Sequence, residues 1–153
     1  MDSLQYEHIV SVIGSKVAAT VEGSGAVVRS GRSNKVKGVS TYPHQIDVSI
    51  QTASSLHLIE CKCLNRKVLL ADVLVLLGRL TDIAAAHPTA AVTASMVSRK
   101  GVTRNGTLVA EQFSIQVDKV HSLKQYSFRY KDLDSEAASD GAQTGDSASA
   151  HII

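Results

Sequence analysis

Hydrophobic and polar positions alternate along this chain with two periods, and the switches between them mark its elements. In "LQYEHIVSVIGSKV", which follows a capping Ser3, the residues Leu4, Ile9, Val12 and Ile13 recur at helical spacing, predicting a first helix that ends near Gly14. "AVVRS", beyond Gly23 and Gly25, reads as a short strand, and "SGRSNKVKGVSTYP" as a loop. In "HQIDVSIQT", Ile46, Val48 and Ile50 alternate with Asp47, Ser49 and Gln51, the period of a strand. A tight turn, "ASS", leads to a second strand, "LHLIECKC". From Lys67 to Ala86 the pattern is a helix, apolar around most of its circumference. Asp72, Arg79 and Asp82 fall at steps of seven and three and form one polar stripe, and Pro88 ends it. "TAAVTASMV" is a strand, "SRKGVTRNG" a basic loop, "TLVAEQF" a short helix and "SIQVDKVH" a last strand. The order α, β, β, β, α, β, α, β predicts a three-layer α/β sandwich with a central mixed sheet flanked by helices.

That pattern puts charge where a buried strand should have none. Strand residues two apart share a face, so Glu60 and Lys62 stand side by side within an apolar run. A two-residue turn at Ala53–Ser54 sets Asp47 opposite Glu60, and a turn one residue later sets it opposite Lys62. Either register gathers Asp47, Glu60 and Lys62 on one face. Two carboxylates and an amine suit a divalent-metal phosphodiesterase. Asp47, Glu60 and the Cys61 main-chain carbonyl supply hard oxygen ligands for Mg²⁺ (Mn²⁺ as a substitute), and Lys62 serves the attacking water or the phosphorane charge. The plainer reading of the three is a structural ion pair on a half-exposed sheet.

Composition narrows the choice. The chain has 153 residues, enough for one domain with a real core. Aromatic residues make up 4% and Trp is absent, which argues against a stacking platform for bases. The net charge is +2, but the last twenty residues hold four acids and no Lys or Arg; removing that −4 leaves +6 on 1–133. A basic body with an acidic tail from Asp134 points to an anionic partner, and the tail, 134–153, reads as disordered and as a competitor for the basic groove. Cys61 and Cys63 are the only cysteines; Cys-x-Cys with His57 nearby lacks zinc-site spacing, and both read as small hydrophobes in a reduced, cytoplasmic protein. No stretch is free enough of charge to span a membrane.

Asp47, a strand turn and then Glu60-Cys61-Lys62, preceded by "KGVSTYPHQIDV", resembles the PD-(D/E)xK restriction-endonuclease-like superfamily, in the branch of Mrr-type restriction enzymes and Holliday-junction resolvases. The resemblance runs in element order from about Leu4 to Val120. It implies an αβββαβ nuclease core over 1–133, Mg²⁺, a DNA substrate, and Asp47, Glu60 and Lys62 as metal ligand, metal ligand and catalytic lysine. It also implies that Glu7 in the first helix assists the metal. Ile46 stands where the motif has its proline, with Pro43 four positions before Asp47. The expected activity is restriction-like phosphodiester hydrolysis. The alternatives are a branched-DNA resolvase and a non-catalytic nucleic-acid-binding module of the same fold.

Two basic clusters accompany the motif. Arg29, Arg32, Lys35 and Lys37 have no acid among them, and Arg99, Lys100 and Arg104 form the second; both fit phosphate contacts, although either alone is an ordinary solvated loop. His44, Gln45 and Gln51 flank the motif and read as local hydrogen-bonding residues. The helix Lys67–Ala86 is more apolar than one core face needs, which fits a homodimer interface.

Overall fold

The computed structural model describes residues 25–120 and, before them, the helical positions His8, Val10, Ser11, Val12 and Ser15. Glu7 and the tail 134–153 lie outside the described residues. Five strands form a sheet in the order β1-β4-β5-β6-β7: β1 (Val27–Ser30), β4 (Val48–Gln51), β5 (Ser55–Lys62), β6 (Ala91–Ser98) and β7 (Gln116–Lys119). The pairs β1–β4 and β4–β5 are antiparallel, while β5–β6 and β6–β7 are parallel, so the sheet is mixed. The parallel steps are made through α1 (Leu70–Ala86) and α2 (Arg104–Gln112), as parallel neighbours require a crossover.

Each sheet face has its own core. Leu56, Leu58, Ala94 and Met96 meet Val73, Leu76 and Ile83 of α1 and Ala110 of α2 on one side. Val48, Ile59, Cys61 and Val97 meet Val10 of the N-terminal helical residues on the other. Helix, sheet and helices therefore make the three layers of an α/β sandwich.

Local chemistry accounts for the element ends. Asp72 accepts from the Leu69 amide at 3.1 Å and starts α1. The α1 stripe ends at Ala86, two residues before Pro88. The Thr103 hydroxyl accepts from Gly106 N–H and caps α2.

Two segments depart from the sequence expectation. The stretch read as a loop carrying Lys35 and Lys37 contains β2 (Lys35–Lys37), which pairs with β3 (Pro43–Gln45) as a separate antiparallel hairpin. Three-residue strands are too short for a period to show. The single strand expected over 44–52 is divided between β3 and β4 by a bend at Asp47. Alternation continues through the bend in sequence, yet Ile46 packs on the α1 side while Val48 packs on the opposite side.

The β2–β3 hairpin is fastened to α1 at Asp82. The Asp82 carboxylate accepts from Ser40 N–H at 2.9 Å and from the Ser40 hydroxyl at 2.6 Å, and lies 2.6 Å from His44 Nε2. These hydroxyl, imidazole and amide hydrogen bonds pull the carboxyl down to about 2. The carboxylate fits only because position 38 is glycine: a Cβ on Gly38 would overlap it.

Candidate active site

Site geometry begins at the β4–β5 turn. Thr52 N–H donates to the Ser55 carbonyl at 3.0 Å, and the Thr52 hydroxyl accepts from the amides of Ser54 and Ser55, closing a two-residue turn at Ala53–Ser54. Ladder partners then run from Gln51 with Leu56 to Val48 with Ile59. Continued by one step, Asp47 stands opposite Glu60, the first of the two registers considered.

Asp47 sits at the bend, where β4 pairing has ended. Its Oδ2 accepts the Cys61 N–H at 2.8 Å, so a side-chain carboxylate takes the ladder hydrogen bond that a strand carbonyl would otherwise take. The N–H and C=O of one strand residue point to the same edge, which puts the Cys61 carbonyl on this side as well. Asp47 thus reaches in along the sheet edge rather than standing on the pleat beside Glu60. The bend is held by Gly31 N–H donating to the Asp47 carbonyl at 3.1 Å.

Glu60 is 6% exposed and each of its oxygens has a cation. Lys62 Nζ donates to Oε1 and Arg79 Nη1 to Oε2, both at 2.8 Å. Arg79 was visible in the sequence only as part of the α1 stripe; nothing there showed that the stripe faces Glu60. Burial pulls the Lys62 amine down, but the Glu60 hydrogen bond and charge, with Asp72 and Asp47 beyond, outweigh it and leave the amine raised. Lys62 is therefore an ammonium at neutral pH, suited to stabilise negative charge rather than to take a proton. Beside it in the β5–β6 register, Ser98 is buried and its hydroxyl has no hydrogen-bond partner among the described residues. Sequence reading missed this hydroxyl, for nothing distinguishes one strand serine from another.

The basic residues are divided between the site and its surroundings. Arg32 follows Gly31, which holds the bend, and the Arg99 amide donates to the Lys62 carbonyl at 3.2 Å. These two flank Asp47 and Lys62 from the loops at the carboxyl ends of β1 and β6. Lys100 is exposed in the same loop, and Arg104 is exposed at the first position of α2. Arg29 on β1 donates to Gln51 Oε1 at 2.9 Å. Lys35 and Lys37 are exposed on the outer face of β2, with Val36 packed inward. His44 is spent on Asp82, and Gln45 is exposed on β3.

The donor set suits a hard divalent cation: two carboxylates from adjoining strands, a carbonyl edge between them and no soft ligand. Among the described residues no group of three His, Cys, Asp or Glu side chains converges. Asp47 and Glu60 are the two carboxylates of this edge that could serve as side-chain ligands, leaving the rest of a shell to water and substrate.

No family model matches the chain, and no curated protein is similar enough to match. Three solved structures are similar in fold. AF1548, described as a protein of unknown function, is 20% identical over 68% of this chain and 54% of its own, with a TM-score of 0.52. VC1899 from Vibrio cholerae is 17% identical over 86% of this chain and 33% of its own, with a TM-score of 0.59. The structure of an EndoMS–dsDNA complex is 14% identical over 74% of this chain and 44% of its own, with a TM-score of 0.49. The chain thus spans about half the length of the first and a third of the second. At these identities the likeness is one of fold alone. Among the described residues no helix is long and apolar enough to cross a membrane.

Proposed function

We propose that this chain is a Mg²⁺-dependent DNA endonuclease that hydrolyses phosphodiester bonds. One observation carries the reading: the Asp47 carboxylate accepts the Cys61 N–H at 2.8 Å, which brings it to the edge of β5 between Glu60 and Lys62, and the Lys62 ammonium is hydrogen-bonded to Glu60. The surrounding αβββαβ order, which the PD-(D/E)xK resemblance implies, supports it. Asp47 and Glu60 would hold the cation, which when bound supplies charge neutralisation at the phosphate and an acidified water. Lys62 stays protonated and stabilises the negative charge that grows on the phosphoryl oxygens. Arg32, Arg99 and Lys100 would grip the flanking phosphates and fix the register of the strand.

A second reading has its own observation. Both Glu60 oxygens are covered by cations, as in a structural ion network, which favours a nucleic-acid-binding module that retains the fold. Cleavage of supercoiled plasmid and of a four-way junction, with Mg²⁺, with EDTA and with Lys62→Ala, separates the two. Metal-dependent cutting that falls by at least 10²-fold in the variant is the expected result. Binding without cutting by folded, Mg²⁺-supplied protein would establish the module instead. Preference for the junction would favour a resolvase role over a restriction-like one.

A further inference from the structure

The β2–β3 hairpin supplies no side chain to the chemistry above, yet it is tied down more firmly than a surface loop needs. Between Glu22 and Asp47 the sequence has no acidic residue and four cations. Arg32 lies at the hairpin base, beside the bend that holds Asp47. Lys35 and Lys37 follow on its outer face. At the far end Val39 and Tyr42 are each 63% exposed. The span from Asn34 to Gly38 is roughly 13 Å at the ~3.3 Å rise of a strand.

The tip is hydrogen-bonded as well as exposed. Gly38 N–H donates to the Tyr42 carbonyl, Thr41 N–H to Gly38 and Val39 N–H to the Asp82 carbonyl. Thr41 takes a left-handed φ of 67° to close the loop. The Tyr42 ring meets His44 edge to face with centroids 5.0 Å apart, and His44 is itself held by Asp82. An exposed ring on a mobile loop would be ordinary. A ring braced at the end of a row of cations is prepared to stack on something that arrives with negative charge. Phe113, the other exposed aromatic among the described residues, follows Glu111 at the end of α2 and has no such row leading to it.

Resting on the nuclease reading for the site itself, the geometry points to a guide for DNA that carries an unpaired nucleotide near the scissile phosphate. Arg32, Lys35 and Lys37 track the backbone of one strand away from Asp47, and Tyr42 stacks on a base that has left the duplex. Paired bases keep their faces against each other, so fully duplex DNA has no surface to offer Tyr42. The preferred substrate class is therefore flapped, branched or tailed DNA rather than an uninterrupted duplex.

Fluorescence anisotropy in EDTA, with labelled duplex and with the same duplex bearing a single-stranded tail, tests this apart from cleavage. Tyr42→Ala should weaken binding of the tailed DNA roughly tenfold and leave the duplex unchanged, while Tyr42→Phe keeps wild-type affinity for both. Lys35→Gln with Lys37→Gln should weaken both DNAs and lower the salt slope by about 1 to 2. Equal affinity of Tyr42→Ala and wild type for the tailed DNA, or equal losses on both DNAs, would overturn the guide. Normal anisotropy with no metal-dependent cutting would overturn the nuclease reading and leave the guide standing.

Discussion

Glu60 has two cationic partners that the sequence presents very differently. Lys62 is two residues away on the same strand, and strand parity alone puts it beside Glu60. Arg79 is nineteen residues away on another element, and its pairing depends on how α1 is rotated over the sheet. Spacing within α1 shows which residues share a stripe but not what the stripe faces. The pairing is open to test. Arg79→Met keeps most of the aliphatic stem and removes the charge, leaving Glu60 buried with Lys62 only. We expect a loss of about 1–2 kcal/mol in denaturant unfolding at neutral pH, below the usual cost of breaking a buried pair because Arg79 is partly exposed. In the double variant Arg79→Met, Glu60→Gln most of that loss should return. Additive losses would mean that the two side chains do not interact.

At the scale of elements, the strands with clear alternation and the long apolar helix could be read from sequence, and the hairpin could not. Val36 between two lysines and His44 between Pro43 and Gln45 give one inward residue per strand, too few to reveal a period. The bend at Asp47 was hidden for the opposite reason: alternation continued without a break while the chain changed faces. What attaches the hairpin is Asp82, and its ionisation sets when the attachment fails. The Asp82 carboxyl is held at about 2, below its ordinary 3.8. Its contribution is complete above about pH 4 and is lost as pH falls through about 2. Ring-proton NMR signals of Tyr42 and His44 should therefore hold their folded shifts at about pH 4 and move toward pH 2. In Asp82→Ala they should already be displaced at neutral pH. A wild-type midpoint near the ordinary carboxyl value would contradict the clip.

Across the whole molecule, the five strands of the main sheet and the two crossover helices followed one another as the hydrophobic pattern predicts, because each is long enough to show its period. The edges of the sheet did not follow from it, since strand order depends on contacts between distant segments. The site lies where β4 stops and β5 continues, so the Asp47 carboxylate on the Cys61 amide and the Glu60 carboxylate come to neighbouring positions of β5. A cation that binds there in the folded state only should stabilise the entire fold. Saturating Mg²⁺ should raise the melting temperature by about 10 °C, as expected for a ligand at roughly a hundredfold excess over Kd. EDTA should reverse the rise, and Asp47→Asn with Glu60→Gln should abolish it. A melting temperature indifferent to Mg²⁺ in both proteins would make the carboxylates structural.

The two-residue turn at Ala53–Ser54 lies about 20 Å from Asp47 along β4, at the strand rise of ~3.3 Å per residue. Surface turns usually tolerate gains and losses of residues, and evolution exploits that freedom. Here the turn sets the phase of the whole hairpin. One residue more or fewer would slide Asp47 past Glu60 and reverse every side chain on one strand relative to the other. The length of a surface turn thus fixes the alignment of acids about 20 Å away from it.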